Sequence, residues 1–160
     1  MDISFKTPEG RFNYRACGIF LHDGKLLAMQ DDPRYAYYLP GGRVQMNEAA
    51  DAALLRELKE ELGIAPAIVR PLWIVQSFFN DDVTGERFHE LGMYYLMDIA
   101  GTDLLSRGDV FTARDAASGR ISRYEWMPIE RVKREYIYPL FIRRLIDRLP
   151  DSPTFLTEYE

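Results

Sequence analysis

Three glutamates, Glu57, Glu60 and Glu61, lie close together in the sequence. In a helix, residues at positions i, i+3 and i+4 share one face, so the three carboxylates would lie within about one turn. Carboxylates this close repel one another, and Mg²⁺ prefers oxygen ligands of this kind. Two consecutive glycines, Gly41 and Gly42, precede this segment and allow close approach of the backbone. The spacing is therefore compatible with a divalent-cation site, to which a glycine carbonyl could add an oxygen.

The same glutamates also fit a solvent-exposed helix face. Glutamate-rich helices are common, and Arg56 and Glu60 are four residues apart, which suits an ordinary ion pair. The three carboxylates taken alone favour this surface interpretation. The residues around the glutamates are needed to distinguish a cation site from a solvent-exposed helix face.

Residues 42–64 match a longer pattern. It consists of Gly, five residues, Glu, seven residues, Arg-Glu, an aliphatic residue, any residue, Glu-Glu, any residue, Gly and an aliphatic residue. The matching positions are Gly42, Glu48, Arg56, Glu57, Leu58, Glu60, Glu61, Gly63 and Ile64. A chance match of its seven fixed identities has a frequency of roughly one in 10⁸ per starting position. The segment resembles the signature of the Nudix hydrolase family.

The resemblance implies a metal site. Glu57, Glu60 and Glu61 would act in catalysis and hold one to three Mg²⁺ ions, with Mn²⁺ as a common substitute. The carbonyl of Gly41 would ligate one of these ions.

The resemblance also implies structural roles within the motif. Arg56 would hold the glutamates by hydrogen bonds, because its planar fork suits two carboxylates. Glu48 would brace the loop and the helix through Arg56. Gly42 and Gly63 would be the fixed glycines at either end of the motif.

The implied activity is hydrolysis of a pyrophosphate bond in a nucleoside diphosphate linked to another group. Metal ions would neutralise the phosphate oxygens and orient a water molecule, and a glutamate would accept its proton. The alternative is a catalytically silent relative that binds a nucleotide as a sensor. Such proteins often lack the motif glutamates, whereas all key positions are intact here, so the hydrolase is favoured.

The substrate subclass follows only by elimination. Members that act on ADP-ribose tend to carry a proline about 15 residues beyond the motif, by family resemblance, and this chain has Phe79 there. The tyrosine of the diadenosine polyphosphate members is also missing. We therefore expect a nucleoside triphosphate or a related nucleotide.

A carboxylate outside the motif could be the general base. Glu90, at the start of a predicted strand, is the first candidate, and an edge-strand charge is its alternative. Glu125 precedes Trp126 and is more typical of a surface partner for an arginine. Many family members carry a further glutamate before this tryptophan, but residues 120–123 contain none.

Two residues outside the motif are candidates for substrate binding. Arg15 could reach a phosphate, and the alternative is a solvated arginine. Phe79, together with Phe78, could stack on a base, although aromatic residues more often belong to the core. His89 fits a structural role better than a catalytic one.

Hydrophobic patterning predicts the elements that position these residues. The predicted strands cover residues 14–21, 26–30, 68–79 with a break near Pro71, 87–99 and 121–127. A hairpin turn is expected at residues 22–25, a loop at 31–38 with a turn at Asp32-Pro33, and an irregular loop at 103–120. The motif helix covers residues 49–62, with Asn47 as its N-cap and Gly63 as its stop.

A mixed sheet with a central helix and a terminal helix favours an α/β (α+β) fold. We predict a Nudix-type α/β/α sandwich, in which a mixed β-sheet carries the catalytic helix after the Gly-Gly loop and a C-terminal helix at residues 139–149. Residues 1–150 would form a single domain, and residues 151–160 a loose tail.

Bulk properties exclude several classes of partner. The 160 residues carry a net charge of −5, which disfavours binding to nucleic acid polymers. The chain has no apolar run of the roughly 18 residues that span a bilayer, so no membrane association is expected. Cys17 is the only cysteine, which suits a reducing, cytoplasmic location. The expected partner is a small nucleotide-type molecule, and a homodimer is possible by resemblance.

Overall fold

The computed structural model describes residues 1–32 and 35–160. Within them, the strands are β1 (Ser4–Thr7), β2 (Gly10–Ile19), β3 (Leu21–His22), β4 (Lys25–Gln30), β5 (Gly41–Arg43), β6 (Ala67–Asn80), β7 (Arg87–Asp98), β8 (Val110–Arg114), β9 (Ile121–Pro128) and β10 (Thr154–Tyr159). The helices are α1 (Ala50–Leu62), α2 (Ile129–Val132), α3 (Ile142–Leu145) and a 3₁₀-helix (Leu105–Arg107). Of these helices, α1 is the long one, and it carries the three glutamates.

The strands form a larger mixed sheet and a smaller antiparallel one. The larger sheet has the order β1-β2-β7-β6-β10, and β5 pairs with β2. Its β2–β7 and β6–β10 pairs are parallel, whereas its other pairs are antiparallel. The smaller sheet has the order β3-β4-β9-β8. The prediction of a mixed sheet with few helices is confirmed.

Both faces of the larger sheet are covered, because alternate residues of its strands belong to different parts of the core. Ala16 and Tyr95 pack with α1, whereas their neighbours Cys17 and Tyr94 pack on the other face with Phe141. The helix buries the residues Ala53, Leu54, Leu58 and Leu62. A fully buried leucine contributes roughly 1.5–3 kcal/mol, so this apolar stripe holds α1 firmly on the sheet.

The ends of α1 agree only partly with the prediction. Gly63 ends the helix as predicted, with φ +67° and its N–H bonded to the carbonyl of Lys59. Asn47 is not the N-cap, because it adopts a left-handed conformation with φ +65° and lies before the observed N-cap, Ala49. The N-cap position belongs to Ala49, which offers no side-chain hydrogen bond.

The first hairpin has the predicted two-residue turn. His22 pairs with Lys25, and Asp23 and Gly24 between them have φ of +46° and +69°. Both values are positive, as this turn type requires. The turn predicted at Asp32-Pro33 lies partly outside the described residues.

Two predictions on the second half of the chain need correction, and the predicted break near Pro71 takes a specific form. The segment 103–120 is not an irregular loop, because it contains the 3₁₀-helix and β8, which pairs with β9. The break near Pro71 is a set of register shifts within one long strand. The helix predicted at 139–149 shrinks to the four residues of α3, since the flanking hydrogen bonds, such as Arg148 N–H to Leu145, span three residues.

The prediction of a loose tail at residues 151–160 is also wrong. β10 joins the larger sheet beside β6, and the N–H of Glu160 continues the ladder to the carbonyl of Phe78. The side chain of Glu160 accepts a hydrogen bond of 2.8 Å from the Leu140 N–H. Its residues alternate between partly buried and exposed, the period of a strand with one covered face. We found no helix among the described residues with the length and apolar character to span a membrane.

Removal of residues 151–160 should therefore destabilise the protein. We expect the free energy of unfolding to fall by about 2 kcal/mol through lost strand hydrogen bonds and exposed apolar surface. Thermal unfolding would then occur about 4–8 °C lower. Phe155→Ala, at a side chain that is 77 % exposed, is the control and should leave the midpoint unchanged. An unchanged midpoint in the truncated chain would mean that β10 contributes no stability.

Candidate functional site

The two glycines before α1 bring the helix against the edge of the larger sheet. Gly41 lies on β5 with φ +136°, and a Cβ there would be 2.2 Å from the Ala16 carbonyl oxygen. A Cβ on Gly42 would be 2.3 Å from the carboxyl carbon of Glu57. Only glycine fits at either position without a shift. The space that a side chain would fill at Gly42 is occupied by the Glu57 carboxylate.

Arg56 ties the loop to the helix. Its Nε and Nη2 donate to the two carboxylate oxygens of Glu48 at 2.8 and 3.0 Å. Its Nη1 donates to Glu57 at 2.7 Å, and Nη2 also reaches the carbonyl of Arg43 at 3.0 Å. Hydrogen bonding from Arg56 lowers the pKa of Glu48. These are the contacts that the resemblance implies for Glu48 and Arg56.

Glu61 is the most buried of the three motif glutamates. It is 6 % exposed and accepts a hydrogen bond of 3.4 Å from the Gly41 N–H. Burial, followed by the charge of Glu57, raises the pKa of Glu61 to about 7. Burial also raises the pKa of Glu57, although the hydrogen bond from Arg56 opposes the shift. The site thus holds one buried carboxylate, Glu61, which has no cationic partner within ion-pair distance in the described part of the chain, and a partly buried one, Glu57, which is paired with Arg56.

A divalent cation would supply the missing compensation. The available donors are carboxylate oxygens, which Mg²⁺ and Mn²⁺ accept. Within residues 1–32 and 35–160, however, no three acidic, His or Cys side chains are grouped so that they could hold one ion. Arg56 contacts Glu57 at 2.7 Å and Glu60 at 3.5 Å. The donor chemistry of the carboxylates fits a divalent cation, although the three side chains do not converge on one point in this arrangement.

Strand pairing brings the three candidates outside the motif, Arg15, Phe79 and Glu90, onto one face of the larger sheet. Opposite residues form rows across the strands, and alternate rows share a face. Three successive rows on this face are Phe79–Phe88, then Ser77–Glu90–Asn13, then Val75–Gly92–Arg15. Glu90 therefore lies between the aromatic pair and the arginine.

Glu90 and Arg15 have different local partners. Asn13 is buried and donates from Nδ2 to Glu90 at 2.6 Å, while its oxygen accepts from Arg43 at 2.9 Å. Arg15 Nε is buried, and no hydrogen-bond partner for it exists among the described residues. Burial opposes the charge of Arg15, but Cys17 and Glu90 more than offset this effect and raise its pKa. Arg15 is thus a charged donor that an anion could engage.

Glu125 lies in a separate ion cluster. It is only 8 % exposed, which corrects the prediction of a surface position. It accepts from Arg123 at 2.9 Å, from Tyr37 at 3.2 Å, and from Arg131. Burial would raise its pKa, but the two arginines lower it overall. These contacts describe an internal ion pair.

His89 lies on the opposite face of the sheet from Glu90. Its ring packs between Phe12 and Phe78, and its Nε2 is 2.9 Å from the amide nitrogen of Gln76. These contacts agree with the structural role that we predicted.

Sequence reasoning missed several residues around the site. Asn13 could have been found, since it shares a face with Arg15 two positions along the same strand. Tyr38 and Tyr138 could not, because their rings meet only through tertiary packing, with centroids 6.4 Å apart. No local pattern connects positions so far apart in the chain.

Comparison with known proteins identifies a matching domain family and two related sequences. The sequence profile of the NUDIX domain matches residues 13–149. An ADP-ribose pyrophosphatase from Methanocaldococcus jannaschii is 30 % identical over 95 residues, which cover 58 % of this chain and 54 % of that protein. This chain thus spans about half the length of that relative, and the match to a second relative, from Mycobacterium tuberculosis, covers 38 % of its length.

Solved structures show the same fold. A MutT protein from Bacillus halodurans superposes with a TM-score of 0.60 at 15 % identity, covering 92 % of this chain and 90 % of that one. A MutT NUDIX hydrolase from Burkholderia pseudomallei gives a TM-score of 0.53 at 24 % identity, covering 74 % of this chain and 84 % of that one. At these identities the two structures show similarity of fold alone.

Proposed function

Because this chain belongs to the Nudix family, we propose that it is a Mg²⁺-dependent hydrolase of a pyrophosphate bond in a nucleoside diphosphate linked to another group. The observation that carries the proposal is the buried carboxylate of Glu61 together with the partly buried carboxylate of Glu57, beside the glycines of β5. Two carboxylates in one buried site are stable together only with a cation or a proton. Mn²⁺ would substitute for Mg²⁺.

We propose different roles for the metal ion and for the residues of the motif. A bound divalent ion supplies charge neutralisation and Lewis acidity at the phosphates. Glu57, Glu60 and Glu61, with the Gly41 carbonyl, would hold it, and Arg56 would keep the carboxylates in place. Gly42 leaves the room that Glu57 needs, and Gly63 ends the helix behind them.

Three residues on the sheet would act on the substrate. Arg15 would bind a phosphate oxygen, since its Nε has no partner of its own. Glu90 would accept the proton of the attacking water. Phe79 would offer a ring to the base, two rows away from Arg15 on the same face.

Two subclasses of nucleotide are candidates for the substrate. Elimination from the sequence favours a nucleoside triphosphate. The relative from Methanocaldococcus jannaschii carries the name ADP-ribose pyrophosphatase, which favours a nucleoside diphosphate linked to a sugar. Both candidates contain a nucleoside diphosphate unit, and we propose that the enzyme acts on a molecule that contains this unit. A small nucleotide fits an acidic protein better than a nucleic acid polymer does.

A substrate panel tests the proposal directly. Nucleoside triphosphates, ADP-ribose, nucleotide sugars and dinucleoside polyphosphates are incubated with Mg²⁺, and the phosphorus-containing products are separated. We expect a nucleoside monophosphate as one product, loss of turnover with EDTA, and recovery when Mg²⁺ is restored in excess. Turnover that persists in EDTA would contradict the metal assignment. Tight binding of a panel member without turnover would favour a nucleotide sensor.

A further inference from the structure

Four partly exposed aromatic residues form a cluster beside the candidate site. Tyr138 stacks on Tyr38 with ring centroids 6.4 Å apart and on Phe79 at 6.3 Å. Phe79 in turn stacks on Phe88 at 5.0 Å with an angle of 6° between the rings. We call Tyr38, Phe79, Phe88 and Tyr138 the aromatic platform. Unlike the fully buried Trp73, none of its members is fully buried.

A carboxylate stands at the rim of the platform. The hydroxyl of Tyr138 donates to Oδ2 of Asp82 at 3.2 Å, and the hydroxyl of Tyr136 donates to the same oxygen. The two hydroxyls are 2.9 Å apart. Asp82 is exposed, and the trio leaves its other oxygen, Oδ1, open to a further donor. The rim therefore presents a fixed hydrogen-bond acceptor next to a stack of rings.

The platform adjoins the phosphate end of the site without overlapping it. The Phe79–Phe88 row is directly next to the row of Glu90 on the same sheet face. Tyr38 precedes Gly41 by three residues. Burial and Asp81 raise the pKa of Tyr38, while Arg15 is near enough to lower it. A nucleotide needs this arrangement, because its ribose separates the base from the phosphates.

We propose that the aromatic platform and Asp82 form a subsite for a nucleobase that carries an exocyclic amino group. The inference rests on the proposed function, since it places the base of the nucleotide whose pyrophosphate would lie between Arg15 and α1. Bases stack on aromatic side chains whatever their identity. The amino group donates to Oδ1 of Asp82, and a hydrogen bond to a charged acceptor adds specificity. Internal packing alone would not require a carboxylate held by two tyrosines at the rim.

Calorimetric measurement of product binding separates the contribution of the base from that of the phosphate. AMP and ribose 5-phosphate share the phosphate and ribose, and neither has a pyrophosphate to cleave. We expect wild-type protein to bind AMP more tightly than ribose 5-phosphate by about 5–150-fold, the range of one base–aromatic stack. Tyr138→Leu and Phe79→Leu should weaken AMP binding and leave ribose 5-phosphate binding unchanged. Phe155→Leu, at an exposed aromatic residue outside the platform, should change neither.

Purine riboside monophosphate, which lacks the amino group, tests the acceptor. Wild-type protein should prefer AMP to this analogue, and Asp82→Ala, which removes the acceptor, should abolish the preference. Tyr138→Phe keeps the stacked ring, so this variant should retain most of the wild-type preference for AMP over ribose 5-phosphate. The melting temperature of Tyr138→Phe should match that of the wild type, as expected for a variant that stays folded.

The results also separate this inference from the proposed function. Equal wild-type affinities for AMP and ribose 5-phosphate would overturn the subsite, even if the substrate panel shows hydrolysis. Equal weakening of both ligands in the Leu variants would overturn it as well, because the effect would then be structural. A preference for AMP that depends on Tyr138, in a protein without hydrolytic activity, would support the subsite and contradict the hydrolase.

Discussion

Glu61→Gln is expected to abolish most of the turnover while the protein stays folded. The carboxylate lies in the buried centre of the proposed cation site, 3.4 Å from the Gly41 N–H. Loss of one charged ligand should remove several kcal/mol of transition-state stabilisation, which corresponds to about 10²- to 10⁴-fold in rate. Stability should not fall, because the substitution removes a buried charge that is repelled by Glu57.

The measurement pairs kinetics with unfolding. Steady-state rates on the best substrate of the panel are compared for wild type, Glu61→Gln and Glu60→Gln, and thermal midpoints are recorded for each. Glu60 is more exposed than Glu61 and contacts Arg56 at 3.5 Å, so its variant tests the site with less risk to the fold. Glu130→Gln, at an exposed carboxylate on α2, is the control. Normal turnover in both site variants would remove α1 from the mechanism.

The features that the sequence predicts well depend on residues near one another in the chain. The apolar stripe of α1 repeats at helical spacing, and Gly63 is a common helix stop. The contact of Arg56 with Glu48 follows from a motif of fixed spacing. The misplaced N-cap shows the limit, since Asn47 is also a good left-handed residue and the tight turn before α1 uses it in that way.

The features that were missed depend on distant partners. β10 is a six-residue strand at the end of the chain, and its parallel pairing with β6 joins residues far apart in the sequence. β8 is an exception, because its partner β9 lies close to it in the chain, with Arg114 opposite Ile121. The sequence predicts a surface position for Glu125, whereas the fold adds Tyr37, 88 residues away, to the nearby Arg123 and Arg131. Rows across a sheet follow from register, which local patterns rarely fix over long separations.

The assignment of Glu90 as the general base depends on such a row. Asn13 donates to its carboxylate at 2.6 Å, which fixes its orientation, and Arg15 lies in the next row on the same face. In the proposed mechanism, a base held in this way would face a water molecule beside the phosphate that Arg15 would bind. Glu90→Gln keeps the size of the side chain and can still pair with the Asn13 amide, so the fold should be unaffected.

We therefore expect Glu90→Gln to lower kcat by about 10²- to 10⁴-fold, the usual contribution of a general base, with little change in KM. Glu158→Gln is a matched control, because Glu158 lies in the same row of the sheet and pairs with Arg144 at the surface. It should leave kcat unchanged. A raised KM with normal kcat would make Glu90 a substrate-binding residue instead. If kcat and KM are both normal, the proton must pass to a glutamate of α1, because Glu125 is occupied by its two arginines.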